Sequence, residues 1–350
     1  MSSLFDSMII KNHKVKNRVV VPPMVCFGYT DEKGHVTKAN IEHYEAFAKG
    51  GAGVIILEAH AVEKEGRVSN NQLGLWEDKQ IEGLKRIAEI CDKYDSLALV
   101  QIHHAGLKTP KTVSSLALAP SNYEKDGAVA REMTIAEIKR IQESFLKAAI
   151  RVKKAGFKGI ELHGAHGYLI NQFMSPITNV RTDNYGGSLE NRMRFAVEIV
   201  ELIKEEVGKD FIIGYRMGGN EPTLEEGMII AKTLEEKGVD LLHVSAGIQG
   251  ETISEAPKDF PYNWIVYMGT EIRKQVKIPV IVVNCIKTPS QAAYLVENHL
   301  ADLIAIGRAH LVDASWANKA QQNKEPIPCL KCRKCLWFKD GKNCPGRKSV

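Results

Sequence analysis

The stretch that decides the fold runs from Gly159 to Arg192 and reads GIELHGAHGYLINQFMSPITNVRTDNYGGSLENR. It opens with a short apolar run at residues 159–162, which predicts a buried strand. His163, His166 and Tyr168 then follow within six residues, before any helix begins. Polar, titratable side chains at the carboxyl end of a parallel strand are typical of the catalytic face of a barrel enzyme. Such a donor-rich turn can bind an oxygen anion and deliver a proton.

The same order, a short apolar run and then an amphipathic segment, recurs along the chain. Strands are predicted at residues 19–21, 54–57, 97–102, 159–162, 211–216, 241–244, 279–283 and 303–306. Helices are predicted at residues 40–49, 78–94, 134–155, 188–207, 223–237, 263–275, 289–298 and after Gly307. Eight strands alternating with eight helices predict a (β/α)8 TIM barrel. A doubly wound sheet is disfavoured, because no G-x-G-x-x-G loop follows the first strand.

Two helix starts and two loops carry further signals. Thr134 and Thr223 each precede a Glu by three residues, which predicts a capping box at the start of both helices. Long loops are predicted at residues 108–131 and 175–187, after the third and fourth strands. Loops at the carboxyl ends of barrel strands are where active-site lids lie.

Length and composition restrict the class of protein. The chain has 350 residues, of which 44% are apolar and 25% charged, with a net charge of +5. This balance is typical of a globular protein, and one barrel of this length is ordinary. The basic residues form no block over residues 1–320, so no nucleic-acid partner is expected. Without an apolar leader or a run of about 18 apolar residues, we expect a cytoplasmic protein with no membrane span.

Four of the seven cysteines lie close together near the end of the sequence, at Cys329, Cys332, Cys335 and Cys344. We therefore expect two units, a barrel over residues 1–324 and a cysteine-rich extension over residues 325–350. In a reducing compartment, a tight cysteine cluster favours a metal over disulfides. The spacing is compatible with a [4Fe–4S] cluster, with tetrahedral zinc, or with a remnant that binds nothing.

Motifs at the ends of several predicted strands identify a family. They are Pro23-Met24, Gln101-x-His103-His104-Ala-Gly106, His163-Gly-Ala-His166-Gly-Tyr168, Arg181-x-Asp183-x-Tyr185-Gly-Gly-Ser188-x-x-Asn191-Arg192, Arg216 and Ile306-Gly307-Arg308. Together and in this order they resemble the old yellow enzyme family of FMN-dependent ene-reductases and NADH:flavin oxidoreductases. The resemblance covers nearly the whole chain. It implies FMN as the cofactor and NAD(P)H as the co-substrate.

The resemblance also implies which residues bind FMN. They are Pro23, Met24, Val25, Ala59, Gln101, Arg216, Asn284, Gly307 and Arg308. Gln101 is expected to hydrogen-bond the pyrimidine edge of the flavin. Arg216 is expected to stabilise the negative charge of the reduced ring. Gly307 and Arg308 are expected to bind the phosphate.

Two positions depart from the family's pattern. Asn284 stands where the family commonly has glycine in the phosphate loop. Val25 stands where many relatives have a Cys or Thr that tunes the flavin, and Cys26 comes one residue later. Either the loop is shifted by one residue, or that tuning contact is missing.

The catalytic roles are implied in the same way. His163 and His166 resemble the pair that binds the carbonyl oxygen of an α,β-unsaturated substrate. Tyr168 resembles the acid that protonates the alkene carbon opposite the hydride from flavin N5. The implied reaction is ping-pong, with NAD(P)H leaving before the substrate binds. Tyr29 and Lys108 lie near positions that line the site in one bacterial branch, so we expect them to contact the substrate.

Two other functions stay open at this point. The cysteines resemble the cluster-binding tail of longer members such as the dienoyl-CoA reductases, although the later gaps are shorter here. The second domain of those members is not found in this sequence, so a cluster is expected to need an electron-donor protein. A His-x-x-His pair together with His103 and His104 also suits a zinc hydrolase barrel, but carboxylates are scarce at the other strand ends. Family habit implies a homo-oligomer.

Overall fold

The computed structural model describes residues 3–125, 128–248 and 255–349, so residues 1, 2 and 350 of the two expected units lie outside it. Within these ranges, a closed barrel is formed by β1 (Val19–Val21), β2 (Val54–Ala61), β3 (Leu97–His103), β4 (Gly159–Gly164), β5 (Ile212–Gly218), β6 (Leu241–Ser245), β7 (Val280–Val283) and β8 (Leu303–Ala305). Each strand pairs in parallel with the next, and β8 pairs with β1. The predicted (β/α)8 TIM barrel is confirmed.

A helix follows each strand of the barrel as predicted, and the short helix at Leu169–Met174 was not predicted. The α-helices are α1 (Lys38–Lys49), α2 (Ile81–Lys93), α3 (Ile135–Lys154), α4 (Leu169–Met174), α5 (Leu189–Val207), α6 (Leu224–Lys237), α7 (Trp264–Arg273), α8 (Pro289–Glu297), α9 (Arg308–Val312) and α10 (Trp316–Gln321). Short 3-10 helices lie at Lys64–Gly66, Asp78–Gln80, Gly106–Lys108, Leu336–Phe338, Gly341–Asn343 and Pro345–Ser349. Across the described ranges, no helix combines the length and the apolar character that crossing a membrane requires.

Side-chain caps fix where α3 and α6 begin. Thr134 Oγ1 accepts the N–H of Glu137 at 3.2 Å, and Glu137 accepts the N–H of Thr134 at 2.8 Å, so the first predicted capping box is confirmed. At Thr223 only the first half forms, at 3.2 Å. The carboxylate of Glu226 instead binds Arg192 at 2.6 Å, which ties α6 to α5. The second half of that predicted box is therefore wrong.

Two small sheets lie outside the barrel. An N-terminal hairpin pairs Met8–Ile10 with His13–Val15, and its buried side chains pack against the apolar interior of the barrel. The predicted loop at residues 108–131 instead contains three short strands, Ala117–Ala119, Tyr123–Lys125 and Ala128–Glu132, although residues 126–127 lie outside the described residues. Each of these strands is too short to show a period in the sequence.

The interior of the barrel changes from apolar to polar along the strands. Val20, Ile56, Leu99, Ile212 and Ile281 belong to one buried apolar cluster at the end that the hairpin closes. Side chains two apart on a strand point the same way. The next inward layers therefore carry the polar residues Gln101, Glu161, His163, Arg216 and His243. The polar layers therefore lie at the carboxyl ends of the strands, where barrel enzymes have their sites.

A bulge in β2 directs a carboxyl group out of the barrel. The pairing of β2 with β3 shifts between Leu57 and His60, and a bulge turns side chains to new directions. Glu58 then accepts from the N–H of Cys26 at 2.8 Å and from Tyr44 Oη at 3.2 Å. Burial raises the pKa of Glu58 from 4.5 to about 7, although these hydrogen bonds oppose the shift.

Replacing Glu58 with Gln should remove a pH-dependent part of the stability. Because the pKa of this carboxyl is raised in the folded state, the folded protein holds a proton that the unfolded chain loses near pH 4.5. The contribution of Glu58 to the free energy of unfolding should therefore fall as the pH rises from about 4.5 to about 7, by on the order of 3 kcal/mol. Buried histidines with lowered pKa values, such as His43 and His60, act in the opposite direction in both proteins. Urea unfolding at several pH values should therefore show the stability of the wild type falling by this amount relative to that of Glu58→Gln.

Glu198→Gln is the matched control for this measurement. Glu198 accepts from Gln142, Tyr185 and Lys139 on the outside of the barrel, and these donors lower its pKa although burial opposes them. Its replacement should leave the pH dependence of the free energy of unfolding between pH 4.5 and 7 as in the wild type. The same pH dependence in the wild type and in Glu58→Gln would contradict the assignment to Glu58.

Candidate active site

A cavity of about 920 Å³ lies at the polar end of the barrel, within the usual size range of a cofactor site. Its lining includes all nine residues predicted to bind FMN, namely Pro23, Met24, Val25, Ala59, Gln101, Arg216, Asn284, Gly307 and Arg308. His163, His166 and Tyr168 line the same cavity. The structure thus brings together residues that are spread over almost 300 positions of the sequence.

A buried hydrogen-bonded network holds the inner wall of the cavity. Gln101 Nε2 donates to Glu161 Oε1 at 2.7 Å, and His243 Nδ1 lies 2.8 Å from Glu161 Oε2. Glu161 and His243 are almost fully buried, and they were not predicted as site residues. Their inward direction, two residues before a cavity residue on β4 and on β6, is the signal that could have found them. The network fixes the amide of Gln101 towards Glu161.

Arg216 brings a buried positive charge to this wall. It is only 8% exposed, and burial lowers its pKa while Glu161 opposes that shift. Its Nε has no hydrogen-bond partner among the described residues. A buried guanidinium N–H without a partner is costly, so the site is suited to an acceptor that comes from a ligand.

The turn after β4 gathers three aromatic rings. The ring of His163 lies 5.1 Å from that of His166 and 4.7 Å from that of Tyr168, measured between centroids. His163 Nδ1 accepts the N–H of Ala165 at 3.3 Å, so its proton resides on Nε2. His166 Nε2 lies 2.7 Å from Ser245 Oγ, at the end of β6. Ser245 was not predicted, because its contact with His166 arises only in the folded chain.

Burial keeps these groups neutral at neutral pH. Burial, and then the neighbouring His166 and Arg216, hold the pKa of His163 well below 6.5. Burial, and then Arg216, do the same to the pKa of His166. Burial raises the pKa of Tyr168 although Arg216 opposes the shift, so the phenol keeps its proton. Neutral donors near a buried cation are suited to bind an oxygen atom that gains negative charge.

The two predicted substrate contacts lie elsewhere. Neither Tyr29 nor Lys108 is among the described residues that line the cavity. The hydroxyl of Tyr29 accepts from Arg347 at 2.8 Å, and its ring packs 5.9 Å from that of Trp337. Lys108 Nζ lies 5.4 Å from the ring centroid of Tyr168 and donates to the carbonyl of His166 at 2.6 Å. A substrate contact stays a prediction for both residues.

The loop after β1 places Val25, and not Cys26, at the cavity. Val25 lines the cavity, whereas Cys26 is fully buried and its N–H donates to Glu58. The thiol of Cys26 lies 3.6 Å from the carbonyl of Met24, and burial raises its pKa. The loop is therefore not shifted by one residue to bring the thiol into the cavity.

The loop after β7 adopts the backbone that a glycine would favour. Asn284 has a φ of +105° and Cys285 a φ of +56°, both in the left-handed region. This backbone suits the glycine that the family resemblance implies at the first of these positions. The exposed Arg308 reaches over this loop, with Nη2 3.8 Å from Cys285 Sγ.

The cavity fits FMN by two observations besides its size. The partnerless Nε of Arg216 supplies a buried, positively charged donor, which suits a cofactor whose reduced ring carries negative charge. At Gly307, an added Cβ would lie 3.5 Å from Met24 Sδ and 3.6 Å from Pro22 Cγ, which are ordinary contacts. Packing within the chain therefore does not demand glycine there, whereas close approach of a phosphate to the backbone would.

The C-terminal segment forms part of the cavity wall. Cys329, Cys335 and Trp337 line the cavity, and Trp337 Nε1 donates to the carbonyl of Val25 at 2.8 Å. Cys332 and Cys344 are not among the lining residues. Over the ranges that the structure describes, no group of three or more His, Cys, Asp or Glu side chains is arranged to hold a metal ion. The cluster or zinc site at these cysteines stays a prediction.

Comparisons with known proteins agree with the motifs. The sequence pattern of the NADH:flavin oxidoreductase / NADH oxidase family matches residues 3–326. The chain is 44% identical over 346 residues to an NADH oxidase of Thermoanaerobacter brockii, covering 94% of this chain and 52% of that protein. It is 37% identical over 310 residues to an NADPH dehydrogenase of Bacillus cytotoxicus, covering 88% of each. The chain thus spans about half the length of the first relative and most of the second.

Solved structures show the same barrel. An old yellow enzyme homologue from Zymomonas mobilis matches with a TM-score of 0.79 and 27% identity, over 94% of this chain and 95% of that one. A 2-naphthoyl-CoA reductase complex matches with a TM-score of 0.88 and 27% identity, over 97% of this chain and 56% of that one. A zinc hydrolase finds no support in these matches. This protein belongs to the NADH:flavin oxidoreductase / NADH oxidase family, the old yellow enzyme family that its motifs resemble.

Proposed function

We propose that this protein is an FMN-dependent oxidoreductase that uses NAD(P)H to reduce the C=C bond of α,β-unsaturated carbonyl compounds. The observation that carries the proposal is that one cavity is lined by all nine residues expected to bind FMN and by His163, His166 and Tyr168. The names of two relatives, an NADH oxidase and an NADPH dehydrogenase, support a nicotinamide donor.

Residues of the barrel would hold FMN, which when bound supplies the transfer of a hydride from NAD(P)H to an acceptor. Arg216 offers its partnerless Nε and its charge to the electron-rich edge of the flavin. Gln101, fixed by Glu161, offers its amide to the same region. Gly307 and Arg308 offer backbone and guanidinium donors to the phosphate.

The histidine pair would bind the carbonyl oxygen of the substrate. Both imidazoles are neutral at neutral pH, so each donates one N–H without adding a charge that must be desolvated. Donors that are already in place stabilise the negative charge that grows on this oxygen as the β-carbon gains a hydride. Arg216, beside the pair, adds to this stabilisation.

Tyr168 would supply the proton that balances the reaction. Each turnover oxidises one NAD(P)H and adds one hydride and one proton across the C=C bond. The pKa of Tyr168 lies above its ordinary value of 10, so the phenol is protonated at working pH. Its ring lies 4.7 Å from that of His163, and this closeness supports a role for the phenol beside the oxygen that the pair would bind.

The first test is the binding of FMN by the chain. Purified protein reconstituted with FMN should retain one flavin per chain and oxidise NAD(P)H with 2-cyclohexenone as acceptor. Arg216→Met should weaken FMN binding by about tenfold or more, because it removes a buried charged donor. The dissociation constant, measured by fluorescence quenching, checks this. Arg86→Met, at an exposed residue of α2, is the control. Failure of the wild type to bind FMN would refute the proposal.

The second test separates protonation from hydride transfer. Tyr168→Phe should slow the reduction of 2-cyclohexenone by about 100-fold or more, because it keeps the ring and removes the acid. The reduction of a quinone, which takes up no proton on carbon, should stay near the wild-type rate. Stopped-flow measurement of each half-reaction checks both. Tyr267→Phe, on the outer helix α7, is the matched control. Equal slowing with enone and quinone would count against Tyr168 as the acid.

An iron–sulfur function is the second candidate. Cys329 and Cys335 line the same cavity as the FMN residues, so a cluster held by the C-terminal segment would be near the flavin. An electron-donor protein would then be a partner. Protein purified without oxygen should contain about four irons and matching acid-labile sulfide per chain if this candidate holds. Cys335→Ser should abolish both, and Cys91→Ser, at a buried cysteine of α2, should leave them unchanged. Flavin without iron would exclude it.

A further inference from the structure

A buried carboxyl group that is linked to the turn after β4 has no part in the proposed chemistry. Glu221 follows β5 and is 1% exposed. Its Oε1 accepts from Asn171 Nδ2, in a short hydrogen bond, and from the N–H of Ile248 at 3.2 Å. Its Oε2 has no partner among the described residues. Burying a carboxyl group here costs desolvation free energy, which its hydrogen bonds must offset.

The first partner of Glu221 holds the catalytic turn. Asn171 lies in α4, and its Oδ1 accepts the N–H of Gly167 at 2.7 Å. Gly167 stands between His166 and Tyr168 and has a φ of +69°, while His166 has a φ of +58°. A left-handed backbone at a non-glycine residue costs about 1 kcal/mol and persists only when neighbouring contacts fix it. Asn171, bonded to Glu221, is one of these contacts.

The second partner belongs to the loop that holds the other side of His166. Ile248 is three residues beyond Ser245, whose Oγ lies 2.7 Å from His166 Nε2. Between them, the carbonyl of Ala246 accepts the N–H of His166 at 3.1 Å. One carboxyl oxygen of Glu221 therefore connects the two segments that orient His166.

The backbone around Glu221 leaves space for this contact. A Cβ atom at Gly218 or at Gly247 would overlap Glu221 Oε1. Neither glycine needs a positive φ, since the structure gives them ordinary backbone values. Their small size therefore serves the approach of the carboxyl group. Burial also raises the pKa of Glu221 to about 8, so at neutral pH the group connects the two segments mainly in its uncharged form.

We propose that Glu221 is a positioning residue, which joins the turn after β4 to the loop after β6 and thereby holds His166 and Tyr168 at the cavity. The inference rests on the proposed function, because it assigns Glu221 to the same pair of substrate-binding groups. Glu221 acts through Asn171 and Ile248 and does not touch the substrate. Its removal should disturb the oxygen-binding donors without weakening the binding of FMN.

Hydrogen–deuterium exchange tests the positioning directly. In FMN-loaded protein, Glu221→Ala should raise exchange in residues 163–172 by about tenfold, as expected when one buried hydrogen bond is lost, while β3 stays protected. Glu221→Gln keeps an acceptor oxygen and should restore most of the protection. Asn171→Ala removes the side chain that links Glu221 to Gly167 and leaves the bond from Ile248 to Glu221, so it should raise exchange in the same residues. It replaces Glu221→Ala if that variant does not fold. Exchange that rises equally in all strands would overturn the proposal.

Kinetics separate this proposal from the proposed function. Glu221→Ala should raise the KM for 2-cyclohexenone and lower kcat by about tenfold each, with the FMN dissociation constant unchanged. His166→Ala is the reference for loss of the donor itself, and Glu198→Ala is the control at a distant carboxylate.

If His166→Ala has no effect on enone reduction, the proposed substrate site fails, and the exchange measurement still decides the role of Glu221. If His166→Ala is impaired while Glu221→Ala matches the wild type in exchange and KM, the positioning proposal is overturned.

Discussion

The alternation of side chains along closed parallel strands is the constraint on which this structure depends. Residues two apart on a strand point into the barrel together, so each inward layer is set by every second position. Layers near the hairpin are apolar and packed. Polar inward residues are tolerated only where the barrel opens, and there they form hydrogen bonds with one another. Gln101 and His243 both bind the carboxyl group of Glu161 in this layer, and Arg216 and the histidine pair line the cavity.

The sequence predicted the barrel and the residues at its mouth, but not the contacts that fix them. Apolar runs and their spacing are local signals, and motif residues such as His163 and Arg216 stand directly at strand ends. By contrast, Glu161 contacts His243, which is 82 residues away in the sequence, and Trp337 donates a hydrogen bond to Val25, which is 312 residues away. No local pattern marks such pairs. The short helix α4 and the small sheet after β3 were missed for a related reason, because three to six residues show no period.

Neutral groups surround one buried cation at the inner wall. Burial keeps the histidines uncharged, which costs no ion desolvation and leaves their N–H groups as donors. If the imidazoles were protonated, they would repel Arg216 and raise the cost of burying it. The guanidinium therefore carries the positive charge at this wall, and it does so near the Glu161 carboxyl that Gln101 and His243 stabilise.

The same reasoning applies to two buried acids that bind loops around the cavity. Glu58 holds the loop after β1, and Glu221 holds the loops after β4 and β6. Burial raises their pKa values to about 7 and about 8. Ionised carboxylates here would compete with an anionic ligand for Arg216 and for the phosphate loop. A protonated carboxyl group still accepts hydrogen bonds from the loops, so acids with raised pKa values fix these loops while adding less negative charge to a site suited to anions than ordinary carboxylates would.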